Sequence, residues 1–203
     1  QAWHTLADAK LTIDPATKQA RTNFVGAANL QIVPLDPEEL NLPRDNGDVT
    51  PTLDDGYGYY SNENIRNCVS TKFVNFEKYD SGYQTFDTVL YPTKQTDKTN
   101  ITTERLDTGT DRWIATAFKV NFNGNPEAKD AYYLLNRDES GTVDRYSFGE
   151  YASDGRLAYV QRDTNENISY LLLRRGSKLY AGSQELIDTF KTKVEDLSVA
   201  YNE

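Results

Sequence analysis

Residues 113–122 read WIATAFKVNF, and the second half of that run decides the fold class. Phe118, Val120 and Phe122 alternate with Lys119 and Asn121. A period of two puts every apolar side chain on one face of a strand. The same short alternation recurs outward in both directions. It is read at residues 10–14 (KLTID), 29–34 (NLQIVP), 71–77 (TKFVNFE) and 86–91 (FDTVLY). It returns at 131–135, 145–148, 157–161, 168–174 and 178–181. Each run is rich in β-branched or aromatic residues.

Glycine, serine, aspartate and asparagine punctuate these runs. Asp80-Ser81-Gly82, Asn123-Gly124, Glu139-Ser140-Gly141, Ser153-Asp154-Gly155 and Arg175-Gly176-Ser177 read as hairpin or tight turns. Many short strands at this spacing predict an all-β fold with little helix. Its form would be stacked antiparallel sheets, a β-sandwich or supersandwich, in one domain over residues 1–203. Residues 35–55 carry Pro37, Pro43 and Pro51 with many acids, and read as a surface excursion with one helical turn near Pro37. Residues 94–111 are polar and read as a loop. The tail, 184–203, could place Leu186, Ile187, Phe190 and Val194 on a helical face, but alternation at 189–194 and 197–201 favours strands.

Composition narrows the chemistry. The 203 residues contain one histidine, His4, and one cysteine, Cys68. No internal disulfide can form, and a self-contained multi-histidine metal site is excluded. Cys68 sits in a strand-like run and reads as a small buried apolar residue. The formal net charge is −9, so the surface as a whole does not steer toward nucleic acid. No apolar run approaches the ~18 residues of a membrane helix. The chain starts at Gln1 rather than methionine, which suggests a piece of something larger. Fourteen tyrosines and no methionine mark the core as aromatic, suited to half-buried strands.

Several clusters could carry function. Tyr57, Tyr59 and Tyr60 follow Asp54-Asp55-Gly56 and could stack on sugar rings, or form the core and rim of a strand. Trp3 and Trp113 are candidates of the same kind, although the alternation around Trp113 places it in the core. Arg174, Arg175 and Lys178 could meet an anionic sugar, or balance acids on a solvated edge. Residues 136–144 (NRDESGTVD) echo a calcium loop, but Ser147 stands where a bidentate acid is needed, and a hairpin turn is the simpler reading. The sequons at Asn100 and Asn167 are short enough to arise by chance.

Four stretches together resemble the C-terminal β-sandwich region of heparinase II/III-like polysaccharide lyases. They are Trp3-His4-Thr5-Leu6 with the strand Ala9-Lys10-Leu11-Thr12-Ile13, Gly26-Ala27-Ala28-Asn29-Leu30-Gln31-Ile32, Phe86-Asp87-Thr88-Val89-Leu90-Tyr91-Pro92, and Asp154-Gly155-Arg156-Leu157-Ala158-Tyr159-Val160 with Gly176-Ser177-Lys178-Leu179. They span nearly the whole chain in the expected order. The resemblance implies a bacterial, periplasmic or secreted parent with an α/α-toroid catalytic region upstream as this region's partner. That parent would cleave uronic-acid polysaccharides, glycosaminoglycans among them, by β-elimination, which needs carboxylate neutralisation, a base and an acid. The family's proton-transfer residues lie mostly upstream, so this region is expected to be non-catalytic. The anionic polysaccharide would then be a shared ligand. The resemblance also implies a structural zinc in the parent. His4 would be one ligand, with the others supplied from upstream. The alternatives left open are an autonomous carbohydrate-binding module and a structural surface domain.

Overall fold

A computed structural model describes residues 2–4, 11–14, 16–40, 54–59, 68–75, 85–94, 96–140, 143–189 and 194–201, with side chains omitted at 2–4, 11, 54–59 and 68–75. The chain forms two compact units, 1–97 and 98–203. All of the sheets are antiparallel, and the one helical element among the described residues is a 3-10 turn, Pro37–Glu39. The all-β expectation therefore holds, including the helical turn near Pro37.

The first unit contains β1 (Ala2–His4), β2 (Leu11–Ile13), β3 (Ala20–Thr22), β4 (Asn29–Pro34), β5 (Asp54–Tyr59), β6 (Cys68–Asn75) and β7 (Thr88–Thr93). One sheet runs β1-β6-β5 and the other β2-β3-β4-β7. β4 buries Ile32 and Val33 on opposite faces, as an inner strand can. β7 lies at a sheet edge, which accommodates Pro92 and its missing N–H. Asn29 shapes the turn before β4. Its Oδ1 accepts from the Phe24 N–H at 2.6 Å, and its Nδ2 donates to the Phe24 carbonyl at 3.2 Å.

The second unit contains β8 (Asn100–Leu106), β9 (Ala115–Asn123), β10 (Asp130–Asn136), β11 (Tyr146–Phe148), β12 (Tyr151–Ser153), β13 (Leu157–Arg162), β14 (Ile168–Gly176), β15 (Lys178–Ala181), β16 (Gln184–Asp188) and β17 (Val194–Ala200). A six-stranded sheet, β17-β14-β13-β10-β9-β8, faces a four-stranded one, β11-β12-β15-β16. This is a β-sandwich, and the residues between its sheets form one core cluster. Ala117, Leu134, Ala158 and Leu173 lie in one register row, small beside large. Phe148, Tyr151, Leu179 and Ile187 pack onto them from the other sheet.

The chain changes sheet after β10, β12, β14 and β16. The turn signals at 153–155 and 175–177 are therefore sheet-to-sheet corners rather than hairpins, and the signal at 139–141, of which residue 141 lies outside the described residues, falls between strands of different sheets. At one corner Asp154 ties two segments together. Its Oδ1 accepts from the Ser177 and Lys178 N–H groups at 2.8 Å each, and its Oδ2 from the Ser177 hydroxyl at 2.6 Å. Gly155 and Gly176 meet backbone to backbone there: a Cβ on Gly176 would lie 2.6 Å from the Gly155 Cα.

Two expectations are corrected. The supposed loop at 94–111 contains β8, whose hydrogen bonds to β9 form a full ladder despite its polar sequence. Its two apolar residues fall on opposite faces: Leu106 pairs with Ala117 on the core side, and the buried Ile101 pairs with Phe122 on the other. Trp113 is not core: it sits in the turn before β9 and is exposed. The alternation belongs to the strand proper, which begins at Ala115. The tail forms β16 and β17, as strand alternation predicts, and residues 190–193 lie outside the described residues.

Candidate functional site

The outer face of the six-stranded sheet carries a row of four aromatic rings. Cross-strand register places Phe118 beside Tyr133 and Tyr133 beside Tyr159. Phe118 and Tyr133 stack with centroids 4.7 Å apart and planes within 7°. Tyr133 meets Tyr159 edge-on at 4.7 Å, and Tyr159 meets Tyr170 edge-on at 5.8 Å. Leu135, Leu157 and Leu172 share the same face by strand parity and are, like the three tyrosines, half-buried. The Tyr159 hydroxyl donates to Gln161 Oε1 at 2.6 Å, which fixes its ring. The rings use their faces and flanks on one another; at one end of the row Phe118 is buried together with Val120, Ala131 and Ile101 on the same face, while Tyr133, Tyr159 and Tyr170 are half-buried.

The opposite, core-facing side of the same sheet ends in an ion network. Asp130 is fully buried, and Arg162 grips it with two hydrogen bonds, Nε at 2.7 Å and Nη2 at 2.6 Å. Lys119 approaches at 3.3 Å, and Glu150 takes the other end of Arg162 at 3.1 Å. Burial works to raise the Asp130 pKa, but the bonds and charges of Arg162 and Lys119 outweigh it and hold the carboxyl below its ordinary value. Burial and the neighbouring Glu150 carboxylate push the Tyr151 phenol well above its usual range. Burial and a hydrogen bond to Asp138 raise Tyr146. Both shifts run opposite to what a tyrosine base needs. The network closes the end of the sandwich core and serves stability.

The sequence-derived candidates fall in different places. Tyr57 and Tyr59 lie on one face of β5, opposite Ser70 and Cys68 of β6. His4 closes β1 opposite Phe73. The side chains of Trp3, His4, Tyr57, Tyr59 and Cys68, and Tyr60 altogether, lie outside the described residues. Arg174 and Arg175 are exposed, and each meets an acid on or beside β17: Asp196 at 3.2 Å and Glu195 at 3.0 Å. The calcium-like segment links the two sheets. Asp138 spends its carboxylate on Ser140 and on the Tyr146 hydroxyl at 2.8 Å. Asp36, Glu38 and Glu39 bring three carboxylates within 4.8 Å of one another, hard oxygen donors unlike the nitrogen and sulfur that zinc favours. Lys18 already donates its ammonium to the Pro37 and Leu40 carbonyls of that turn. The aromatic row went unread because its rings come from four strands, and only pairing brings them together.

No protein-family model matches the chain, and no curated protein matches it.

Proposed function

We propose that this chain is a non-catalytic β region of a heparinase II/III-like polysaccharide lyase, and that the outer face of its six-stranded sheet packs against the rest of that enzyme. The aromatic row carries this reading. A face bearing three half-buried tyrosines beside three half-buried leucines, with few charges among them, has the aromatic enrichment of a protein interface. The quoted sequence resemblances support it in a second way. Asn29 and the Asp154, Gly155 and Gly176 cluster act as structural clamps, which suits a scaffold role. In this reading the α/α-toroid upstream supplies base and acid, the substrate is a uronic-acid polysaccharide, and the enzyme works outside the cytoplasm. A structural zinc would take His4 together with upstream ligands.

The test is a β-elimination assay, following ultraviolet absorbance of the unsaturated uronate product on a panel of uronic-acid polysaccharides. Activity is expected in the longer protein containing this region and not in the region alone. Activity in the 203-residue chain, or in neither protein, overturns the reading.

A further inference from the structure

Trp113 is 60% exposed, yet the turn that carries it is pinned. The Asp111 carbonyl accepts from the N–H groups of Ile114 at 2.9 Å and Ala115 at 3.1 Å. The Arg112 carbonyl accepts from the Thr116 hydroxyl at 2.9 Å and from Arg137 Nη1 at 3.2 Å. The Arg137 N–H in turn donates to the Ile114 carbonyl at 2.8 Å. A tryptophan offers 150–250 Å² for burial, so roughly 100–150 Å² of apolar ring stays in water on a fixed support.

Arg137 lies against the peptide that precedes Trp113. Its Nη1 is spent on the Arg112 carbonyl and, at 3.3 Å, the Thr116 hydroxyl. Arg156, Arg162, Arg174 and Arg175 each pair with a carboxylate. Among the described residues none pairs with Arg137. Nε and Nη2 remain as the fork that binds a carboxylate through two parallel bonds.

We propose that Trp113 and Arg137 form a binding subsite for an oligosaccharide that carries uronic acid. The indole face stacks on the apolar face of a pyranose ring, and the guanidinium fork takes a carboxylate. The surroundings favour a sugar over a protein partner. The stretch that leads into its turn, Thr108, Gly109, Thr110 and Asp111, is polar and exposed or half-exposed, the kind of surrounding that suits the hydroxyls of a pyranose. A protein hot spot instead sits among closely packed apolar neighbours. The choice of uronate rests on the lyase reading; the pairing of aromatic ring and guanidinium does not.

The experiment titrates oligogalacturonate, oligoalginate and a neutral cello-oligosaccharide into the full chain. It uses a Trp3→Phe background, so that Trp113 is the one indole, and follows fluorescence and calorimetric heat. At least one acidic oligosaccharide is expected to shift the Trp113 emission. Trp113→Ala should weaken calorimetric binding about tenfold or more, with the melting temperature unchanged. Arg137→Gln should weaken the acidic ligands and spare the neutral one, and Arg137→Lys should restore part of the loss. Silence from both acidic oligosaccharides overturns the subsite, as does undiminished binding by Trp113→Ala. A Trp113→Ala defect only in association with another protein segment also overturns it. Failure here leaves the lyase reading standing, whereas an inactive longer protein with binding intact sinks that reading and leaves the subsite.

Discussion

Replacing Gly176 with alanine should be among the most damaging one-methyl changes in the second unit. The new Cβ would sit 2.6 Å from the Gly155 Cα, 2.9 Å from the Gly155 N and 2.9 Å from Asp154 Oδ1. Two of those atoms are backbone, so no side chain can rotate away. The segments cannot part without stretching the three hydrogen bonds that Asp154 makes to Ser177 and Lys178. Overpacking of this kind costs about 1–3 kcal/mol, and each strained bond to a carboxylate adds a share of its ~1.5–3 kcal/mol. Taking about 3 kcal/mol, and at least about 4 °C per kcal/mol for a unit near 100 residues, the melting transition should fall by roughly 12 °C or more. Calorimetry should register this against Gly182→Ala as control. Gly182, unlike Gly176, has a left-handed φ, 56°, but nothing lies within 4 Å of its added Cβ. The control should lose only the backbone strain, about 1–2 kcal/mol. If Gly176→Ala melts no lower than the control, the reasoning about this corner is wrong.

The ion network yields a sharper loss than any surface pair. Asp130→Ala removes the acid shared by Arg162 and Lys119 and should destabilise the unit by about 3 kcal/mol, read as a denaturant midpoint shift without a change in slope. The double variant Arg174→Ala, Arg175→Ala touches only exposed pairs and should leave that midpoint nearly unmoved. Asp130 and Asp138 have lowered folded pKa values, so their stabilisation is full above the unfolded value of about 4 and is lost as pH falls through the folded values. Lys119, Tyr146 and Tyr151 are raised. Their stabilisation is full below about pH 10 and is lost as pH rises through the folded values. Melting temperature against pH should therefore stay level between about 5 and 9 and fall on both sides, and a steady slope across that window would contradict these assignments. Tyr170→Lys should lower the melting temperature of the longer enzyme clearly more than that of this chain, and equal losses would argue that the aromatic row is not an interface.

The sandwich was legible because its inward-facing residues announce themselves locally. Leu171 and Leu173, or Ala158 and Val160, alternate within one strand, and no distant residue is needed to read them. β8 was illegible for the converse reason. Asn100–Leu106 has threonine, glutamate and arginine where a lone sequence suggests a loop, and it is a strand because β9 supplies a full hydrogen-bond ladder. The two corners were seen as turns but not as changes of sheet. A glycine beside polar residues looks the same whether the chain folds back or crosses over, and the difference lies in which strand Tyr151 or Leu179 pairs with.

The same logic separates the two surfaces that carry the functional argument. Tyr133, Tyr159 and Tyr170 are each visible as strand aromatics, but their value lies in a row built by register. Trp113 was visible and misplaced, because the run from 113 to 122 begins two residues before its strand does. That offset is the informative part. Had the alternation extended to Trp113, β-sheet parity would have set the indole on the same face as Ala115 and Ala117, against the core. The hydrogen bonds from Ile114 and Ala115 to the Asp111 carbonyl end the strand first and turn the indole outward. Arg137, next after the last residue of β10, then reaches the Arg112 carbonyl beside it. An exposed ring and a guanidinium with spare donors are thus products of strand termination. For that reason Thr116→Val, which removes the buried hydroxyl that bonds both the Arg112 carbonyl and Arg137 Nη1, should weaken uronate binding in calorimetry even though residue 116 is too buried to touch the ligand; binding unchanged by that substitution would show that the fixed turn contributes nothing.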